Sequence, residues 1–199
     1  MHNPHANRDI APAICVFCGS SYGNDPANAE AAQKLGTLTG KHGFRLIFGG
    51  GNVGLMAETA RAARAAGAEV IGILPQFLRH MEPPLKSADE LIVVPDLQER
   101  KQRMIAMSDA FVLLPGGLGT LDEFFEVVTA LQLGRHTKPI VLINLSGYFD
   151  SLIALLRHIV HEGFAADTIL SHYRAVTSVD EAIEAVKAAL KTDALRDTI

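Results

Sequence analysis

The sequence predicts one α/β domain: a doubly wound parallel sheet flanked by helices. Three observations predict it. Short apolar runs alternate with amphipathic stretches along the chain. The runs are rich in Ile, Val, Leu and Phe with little polar alternation, as in strands covered on both faces. The 199 residues, 48% of them hydrophobic, suit a single core, and no repeat, low-complexity tract or linker divides them.

The elements follow in order. Residues 1–12 (MHNPHANRDIAP) are polar and lack the apolar middle of a signal peptide. They read as a loose arm before a domain over 13–191, with 192–199 as a tail. The first strand, 14–18, runs into Cys18-Gly19-Ser20-Ser21, and a helix over 26–42 ends before Gly43. The second strand, 45–48, runs into Gly49-Gly50-Gly51-Asn52-Val53-Gly54, and a helix over 54–66 ends before Gly67. A third strand covers 69–74. Residues 75–90 (PQFLRHMEPPLKSADE) are long for a βα connection and read as a lid, a recognition loop or a plain surface excursion. A strand at 91–94 and a helix at 96–107 come next. The apolar run 110–114 then enters Pro115-Gly116-Gly117-Leu118-Gly119-Thr120 and a helix over 121–133. A strand at 139–144, a helix at 148–161 and a helix at 179–191 finish the chain. Ser178-Val179-Asp180-Glu181 has the spacing of a capping box for the last helix.

Composition narrows the function. The net charge is −4 and no basic block occurs, which disfavours a nucleic-acid polymer as partner. The apolar stretches are strand-sized, well short of the ~20 residues of a membrane helix, and the expected compartment is the cytoplasm. Cys15 and Cys18 have CxxC spacing, but on a strand they point to opposite faces, and no second pair exists for zinc. Buried, reduced thiols are expected. His158, His161 and the adjacent Glu162 read as surface groups rather than a metal site. His136 lies in a helix-to-strand loop with no role assigned. No Gly-x-Ser-x-Gly elbow supports a hydrolase triad.

In a doubly wound sheet, ligands bind beyond the carboxyl ends of the strands. Three such ends here are small, flexible or polar: Gly19 and Ser20, Gly50 and Asn52, and Gly116 to Gly119. The second lacks the G-x-G-x-x-G spacing and an acidic residue after the next strand, and no Gly-Lys-Ser/Thr follows it. The third is the most informative. A strand turning through glycines into a helix bares N–H groups at a dipole's positive end, which is an anion site. Thr120-Leu121-Asp122-Glu123 also has capping-box spacing, which would make Glu123 structural. The preceding glycines favour a bound phosphate instead, with the carboxylate set off its axis, toward a sugar. Arg100, Lys101 and Arg103 crowd the first turns of their helix, where cations are unfavourable unless an anion is near. Arg100 and Arg103 share a face, which is either a solvated face or one that reaches over the strand ends toward a phosphate or a carboxylate. The 121–133 helix is apolar on more than one stripe, which suggests a homodimer contact.

Pro115-Gly116-Gly117-Leu118-Gly119-Thr120-Leu121-Asp122-Glu123 resembles the PGGxGTxxE signature of the LONELY GUY (LOG) proteins. These are cytokinin riboside 5′-monophosphate phosphoribohydrolases, long mislabelled as lysine decarboxylases. The resemblance runs from Cys18-Gly19-Ser20-Ser21 to about Val186. It takes in Gly49-Gly50-Gly51, Gly54-Leu55-Met56, Glu99-Arg100-Lys101, Gln132-Leu133-Gly134, His136 and Lys138-Pro139. It implies a Rossmann-like fold, usually dimeric, that cleaves the N-glycosidic bond of adenine-type nucleoside monophosphates. It implies Arg100 and Glu123 as the catalytic pair. Substrate contacts fall on Glu82, Arg100, Lys101, the turn Gly117, Leu118, Gly119, Thr120, Leu121, Asp122 and Glu123, and Thr129. Asp122 stands where many members have Glu, Phe48 where Tyr is common and Ala57 where Gly is common; none removes a catalytic group.

That chemistry suits the residues. Ribosyl C–N cleavage passes through an oxocarbenium-like state, which a carboxylate near C1′ stabilises while it activates water. Neither a metal nor a redox cofactor is required. A second reading keeps the scaffold as a non-catalytic nucleotide sensor or carrier, which would not need both Arg100 and Glu123. A decarboxylase would require a Schiff-base lysine, and Lys101 is the only lysine at the glycine-lined edge.

Overall fold

A computed structural model of the chain describes residues 11–81 and 83–196. Strands and helices alternate as β1 (Ala13–Phe17), α1 (Ala27–Lys41), β2 (Arg45–Phe48), α2 (Gly54–Ala65), β3 (Val70–Pro75), β4 (Glu90–Val94), α3 (Leu97–Met107), β5 (Ala110–Leu113), α4 (Leu118–Gln132), β6 (Ile140–Ile143), α5 (Asp150–His161), β7 (Arg174–Val176) and α6 (Val179–Arg196). The sheet order is β4-β3-β2-β1-β5-β6-β7, and every pairing is parallel. The chain winds outward from β1 to β4, then returns to β5 on the other side of β1. The switch point therefore lies between β1 and β5, and a crevice opens above their carboxyl ends.

Each strand feeds both faces because side chains alternate. Ile14, Val16 and Cys18 join Leu35, Leu55, Ala60 and Ile183 on the face covered by α1, α2 and α6. Ala13, Cys15 and Phe17 join Met104, Phe124, Val127 and Leu156 on the face covered by α3, α4 and α5. Phe124, fully buried, anchors α4 to the sheet; replacing such a side chain with Ala costs about 3–5 kcal/mol. The two thiols are buried, free and on opposite faces, as strand geometry requires.

Several boundaries differ from expectation. β7 is an additional strand at the sheet edge, three residues long, with Arg174 and Ala175 exposed. α6 continues past 191 to Arg196, because Lys191-Thr192-Asp193-Ala194-Leu195-Arg196 contains no helix breaker. α4 begins at Leu118, ahead of 121. The 75–90 segment forms a 3-10 turn over Gln76–His80 and is then stitched to the β2 turn. Asn52 N–H donates to Pro83 O at 2.7 Å and Leu85 N–H to Gly50 O at 3.0 Å, with Leu85 buried. The stretch after the 3-10 turn thus packs as part of the fold. Residues 1–10 of the expected arm lie outside the described residues. Among those described, no helix is long and apolar enough to cross a membrane.

Candidate active site

The three glycine-bearing turns meet at the switch point. Gly19 N–H donates to Pro115 O at 3.0 Å, joining the ends of β1 and β5, and Leu55 N–H donates to Gly19 O at 3.1 Å, adding the start of α2. Between them lies a cleft of about 170 Å³ bordered by Gly19, Ser20, Gly49, Met56, Arg100 and Glu123 and by the first turn of α4.

That first turn is open to an incoming group. The N-cap is Gly117, with no side-chain cap, and the first helical bond runs from Leu121 N–H to Gly117 O. Helix geometry leaves the N–H groups at the start of α4 without intrahelical acceptors. A Cβ on Gly117 or Gly119 would meet nothing within 4 Å. The fold itself does not forbid side chains there. Gly116 is different: its Cβ would lie 2.1 Å from Thr120 Oγ1 and 2.7 Å from Gly19 N, so close packing demands glycine. The early start of α4 also removes the capping-box reading. Thr120 lies inside the first turn, buried, so Gly117 and not Thr120 is the N-cap, and Glu123 lies beyond the first turn.

Arg100 arrives from the opposite wall. Asp96 caps α3, its Oδ1 accepting from Glu99 N–H at 2.8 Å. One residue on, Arg100 turns inward and is 8% exposed. Its Nη2 lies 3.4 Å from Gly49 O and 3.7 Å from Glu123 Oε1, whose side chain is only 11% exposed. Among the described residues, the buried Arg100 Nε–H finds no acceptor. At 3.7 Å the ion pair is looser than a charge-assisted hydrogen bond of ~2.8 Å. A buried cation with an unmet donor is costly on its own, so the arrangement is suited to an additional acceptor. Gly49 makes it feasible: a Cβ there would sit 2.1 Å from Arg100 Nη2. Burial first, then the Glu123 charge, pushes the Cys18 thiol up at the cleft floor, so it is a neutral wall and not a nucleophile.

Of the residues expected here, the cleft unites Arg100, Glu123, Gly19, Ser20, Gly117, Leu118, Gly119 and Thr120. Others fall elsewhere. Lys101 Nζ pairs with Asp122 and Glu126, both at 3.0 Å. Burial opposes its charge, but the bonds to Glu126 and Asp122 outweigh that and raise its pKa. Arg103 does not reach the strand ends; Glu99, one turn earlier, holds it at 2.8 Å. Leu121 packs half-buried against the core. Thr129 borders a separate groove of about 880 Å³ over α3 and α4, together with Phe125 and Leu133. Gly50, at φ +79°, turns under the sheet toward Leu74 and Leu91, and Gly49 takes the cleft position instead. Asn52 Oδ1 accepts from Arg61 at 2.6 Å and does not border the cleft. Glu82 lies outside the described residues. His136 is structural: its ring bonds Val127 O at 3.0 Å and accepts from Lys138 N–H, and burial lowers its pKa. His158, His161 and Glu162 cluster, exposed, at the C-terminal end of α5, which runs away from the crevice.

Sequence reasoning missed Gly49 and Met56 as wall residues, though the glycine run and the start of α2 marked their neighbourhood. It also missed Tyr148, whose hydroxyl donates to Gly116 O at 2.5 Å. Nothing local to Tyr148 signals a contact between two loops so far apart in sequence.

Known proteins resemble this chain in sequence and in fold. The family model described as "Possible lysine decarboxylase" matches residues 56–186. The cytokinin riboside 5′-monophosphate phosphoribohydrolase LOG1 of Arabidopsis thaliana is 44% identical over 155 residues, 78% of this chain and 73% of that protein. The probable phosphoribohydrolase LOG6 of the same plant is 42% identical over 175 residues, 84% of this chain and 87% of that protein. Among solved structures, the molybdenum cofactor binding protein of Rippkaea orientalis superimposes with a TM-score of 0.70 at 26% identity, covering 90% of this chain and 98% of that one. The Moco carrier protein of Chlamydomonas reinhardtii gives 0.69 at 25% identity, covering 92% and 99%. By the extent of the family match and the identity to its plant members, this chain belongs to the LOG family.

Proposed function

We propose that this chain hydrolyses the N-glycosidic bond of adenine-type, cytokinin-class nucleoside 5′-monophosphates, giving free base and ribose 5-phosphate. The observation that carries it is the buried Arg100–Glu123 pair facing an uncapped, glycine-flanked helix start. The N–H groups of the α4 first turn hold the 5′-phosphate, with the helix dipole behind them. A cleft of about 170 Å³ is small beside typical ligand pockets of ~300 Å³ or more, so it takes the sugar phosphate while the base sits at the mouth. Glu123 lies beside C1′, stabilises the developing cation and takes a proton from the attacking water. The sugar gains the hydroxyl, and the base departs with a proton. Arg100 gives Glu123 a counter-charge at 3.7 Å and offers its Nε–H to the substrate. Lys101 and Asp122 steady each other at the rim, and Thr129 belongs to the adjoining groove. The PGGxGTxxE motif thus supplies both cradle and carboxylate.

The chain acts as a homodimer. Phe125 is 36% and Leu133 70% exposed on the outer side of α4, beside the 880 Å³ groove. A second copy would remove that apolar area from water. A cytoplasmic setting fits the two free thiols.

A carrier role, prompted by the molybdenum-cofactor proteins, has no need of a carboxylate buried against Arg100. A Schiff-base lysine needs a neutral amine, whereas Lys101 is held charged between two carboxylates. The test is direct. Purified protein is incubated with AMP and with isopentenyladenosine monophosphate and assayed for free base; intact nucleotide in both reactions would refute hydrolysis.

A further inference from the structure

The proposed phosphate cradle follows a turn in which Gly116 is close-packed and Gly117 is open, and one side chain outside the cleft bonds the peptide between them. Tyr148 Oη donates to Gly116 O at 2.5 Å, yet Tyr148 does not border the cleft. In a trans peptide the carbonyl of one residue and the N–H of the next point in opposite directions. Holding the Gly116 carbonyl toward Tyr148 therefore aims the Gly117 N–H away from it. Gly117 borders the cleft. Donation to the carbonyl also polarises the peptide and strengthens its N–H as a donor.

The segment that carries Tyr148 is itself held in place. Asn144 N–H donates to Val176 O at 2.8 Å, the Asn144 side chain accepts from Phe149 N–H at 2.6 Å, and its amide donates to Asp150 at 2.8 Å. Ser146 has φ +48°, the one positive value at a non-glycine among the described residues, and its hydroxyl donates to Asp25 at 3.3 Å. Strain of that kind persists where the surroundings over-determine the backbone. The Tyr148 ring packs edge-on against buried Phe149 at 5.0 Å.

We infer that Tyr148 is a positioning residue for the 5′-phosphate: it orients the Gly116–Gly117 peptide so that the Gly117 N–H meets the phosphate. This rests on the hydrolase reading above for its substrate, but not for its test. Tyr148→Phe keeps the ring on Phe149 and removes only the hydroxyl. In the full-length variant, the KM for AMP and the Kd for ribose 5-phosphate rise together by about tenfold, the loss of one good hydrogen bond. kcat changes less, the melting temperature stays within about 2 °C, and the Kd for adenosine, which has no phosphate, is unmoved. Asn144→Ala, which loosens the carrier turn but keeps the hydroxyl, shifts the same Kd in the same direction by a smaller factor. An unchanged ribose 5-phosphate Kd in Tyr148→Phe, or equal losses on AMP and adenosine, overturns the inference. Wild-type protein that binds ribose 5-phosphate but releases no base overturns the hydrolase reading instead, and the Kd comparison still decides the role of Tyr148.

Discussion

The turns after β2 and β5 look alike in sequence and do different work. Gly49, Gly50 and Gly54 are each required by the protein itself. A Cβ on Gly49 would meet Arg100, Gly50 has φ +79°, and Gly54 has φ +53° with the Ser20 backbone 2.3 Å from its missing Cβ. In the β5 turn Gly116 is packed in the same way, but Gly117 and Gly119 face open space. A glycine whose side-chain position is empty and whose φ is ordinary is not explained by the fold. It leaves the backbone open to an approaching group, as the proposed phosphate site requires. The β2 turn thus seats a cation, and the β5 turn leaves room for an anion.

The sharpest way to break this contrast is at the carboxylate that the β5 side delivers. Glu123→Gln is expected to lower kcat by about 10³-fold or more, since in the proposed reaction it removes both the charge beside C1′ and the base. It also leaves Arg100 buried without its counter-charge, so urea melts must be run in parallel. A folded Gln variant with near-normal turnover would end the mechanism. Next comes the cation's seat. Gly49→Ala puts a Cβ against the guanidinium end of the Arg100 side chain, which rotates aside while the backbone stays in place. Stability should change by about 1 kcal/mol or less, and kcat/KM should fall by about 10²-fold, as for an ångström-scale misplacement. A large loss of Tm with full specific activity would show that Gly49 serves the sheet rather than Arg100.

How far the sequence could be read follows from the same contrast. The strands were legible because each buried run, such as Ala110-Phe111-Val112-Leu113, is apolar throughout and flanked by a turn. β7 was not, because Arg174-Ala175-Val176 at the edge is short and largely exposed and carries no pattern. Arg100, Glu123 and the β5 turn were legible because unfavourable cations and unneeded glycines stand out locally. Residue-level aim was not. Gly50 and Gly49 differ by one peptide's rotation, Arg103 is captured by Glu99, and Asn52 is captured by Arg61. Spacing gives the element and its face, but the partner that takes each polar tip comes from another part of the chain.

The open glycines offer a finer cut. Gly119 lies in the first turn of α4 with no positive φ and nothing within 4 Å of its missing Cβ. Gly119→Ala is expected to stabilise the protein by about 0.5–1 kcal/mol, the helix propensity difference. The same methyl group would crowd a phosphate at the helix start, so the KM for AMP should rise about tenfold. A gain in Tm with the KM unmoved would mean that no ligand comes near that turn.

The smallest effect separates two roles for Lys101, which the family motif assigns to substrate and the geometry assigns to Asp122 and Glu126. Its pKa is raised in the folded protein from the usual 10.5, burial being outweighed by the two carboxylate bonds. Stability from a raised pKa is fully present below the unfolded value and is lost as pH climbs through the folded one. Because Asp122 and Glu126 are well exposed, solvent screening keeps the contribution to under about 1 kcal/mol. Lys101→Met should therefore cost a degree or two of Tm at pH 7, and the gap to wild type should close only above pH 10.5. If the nucleotide recruits Lys101 away from its carboxylates, the same variant raises the KM for AMP, and ribose 5-phosphate raises the Tm of wild type more than that of the variant. A variant that loses stability as stated but keeps its KM would place Lys101 with the fold, leaving Arg100 as the cation from α3 that faces the substrate.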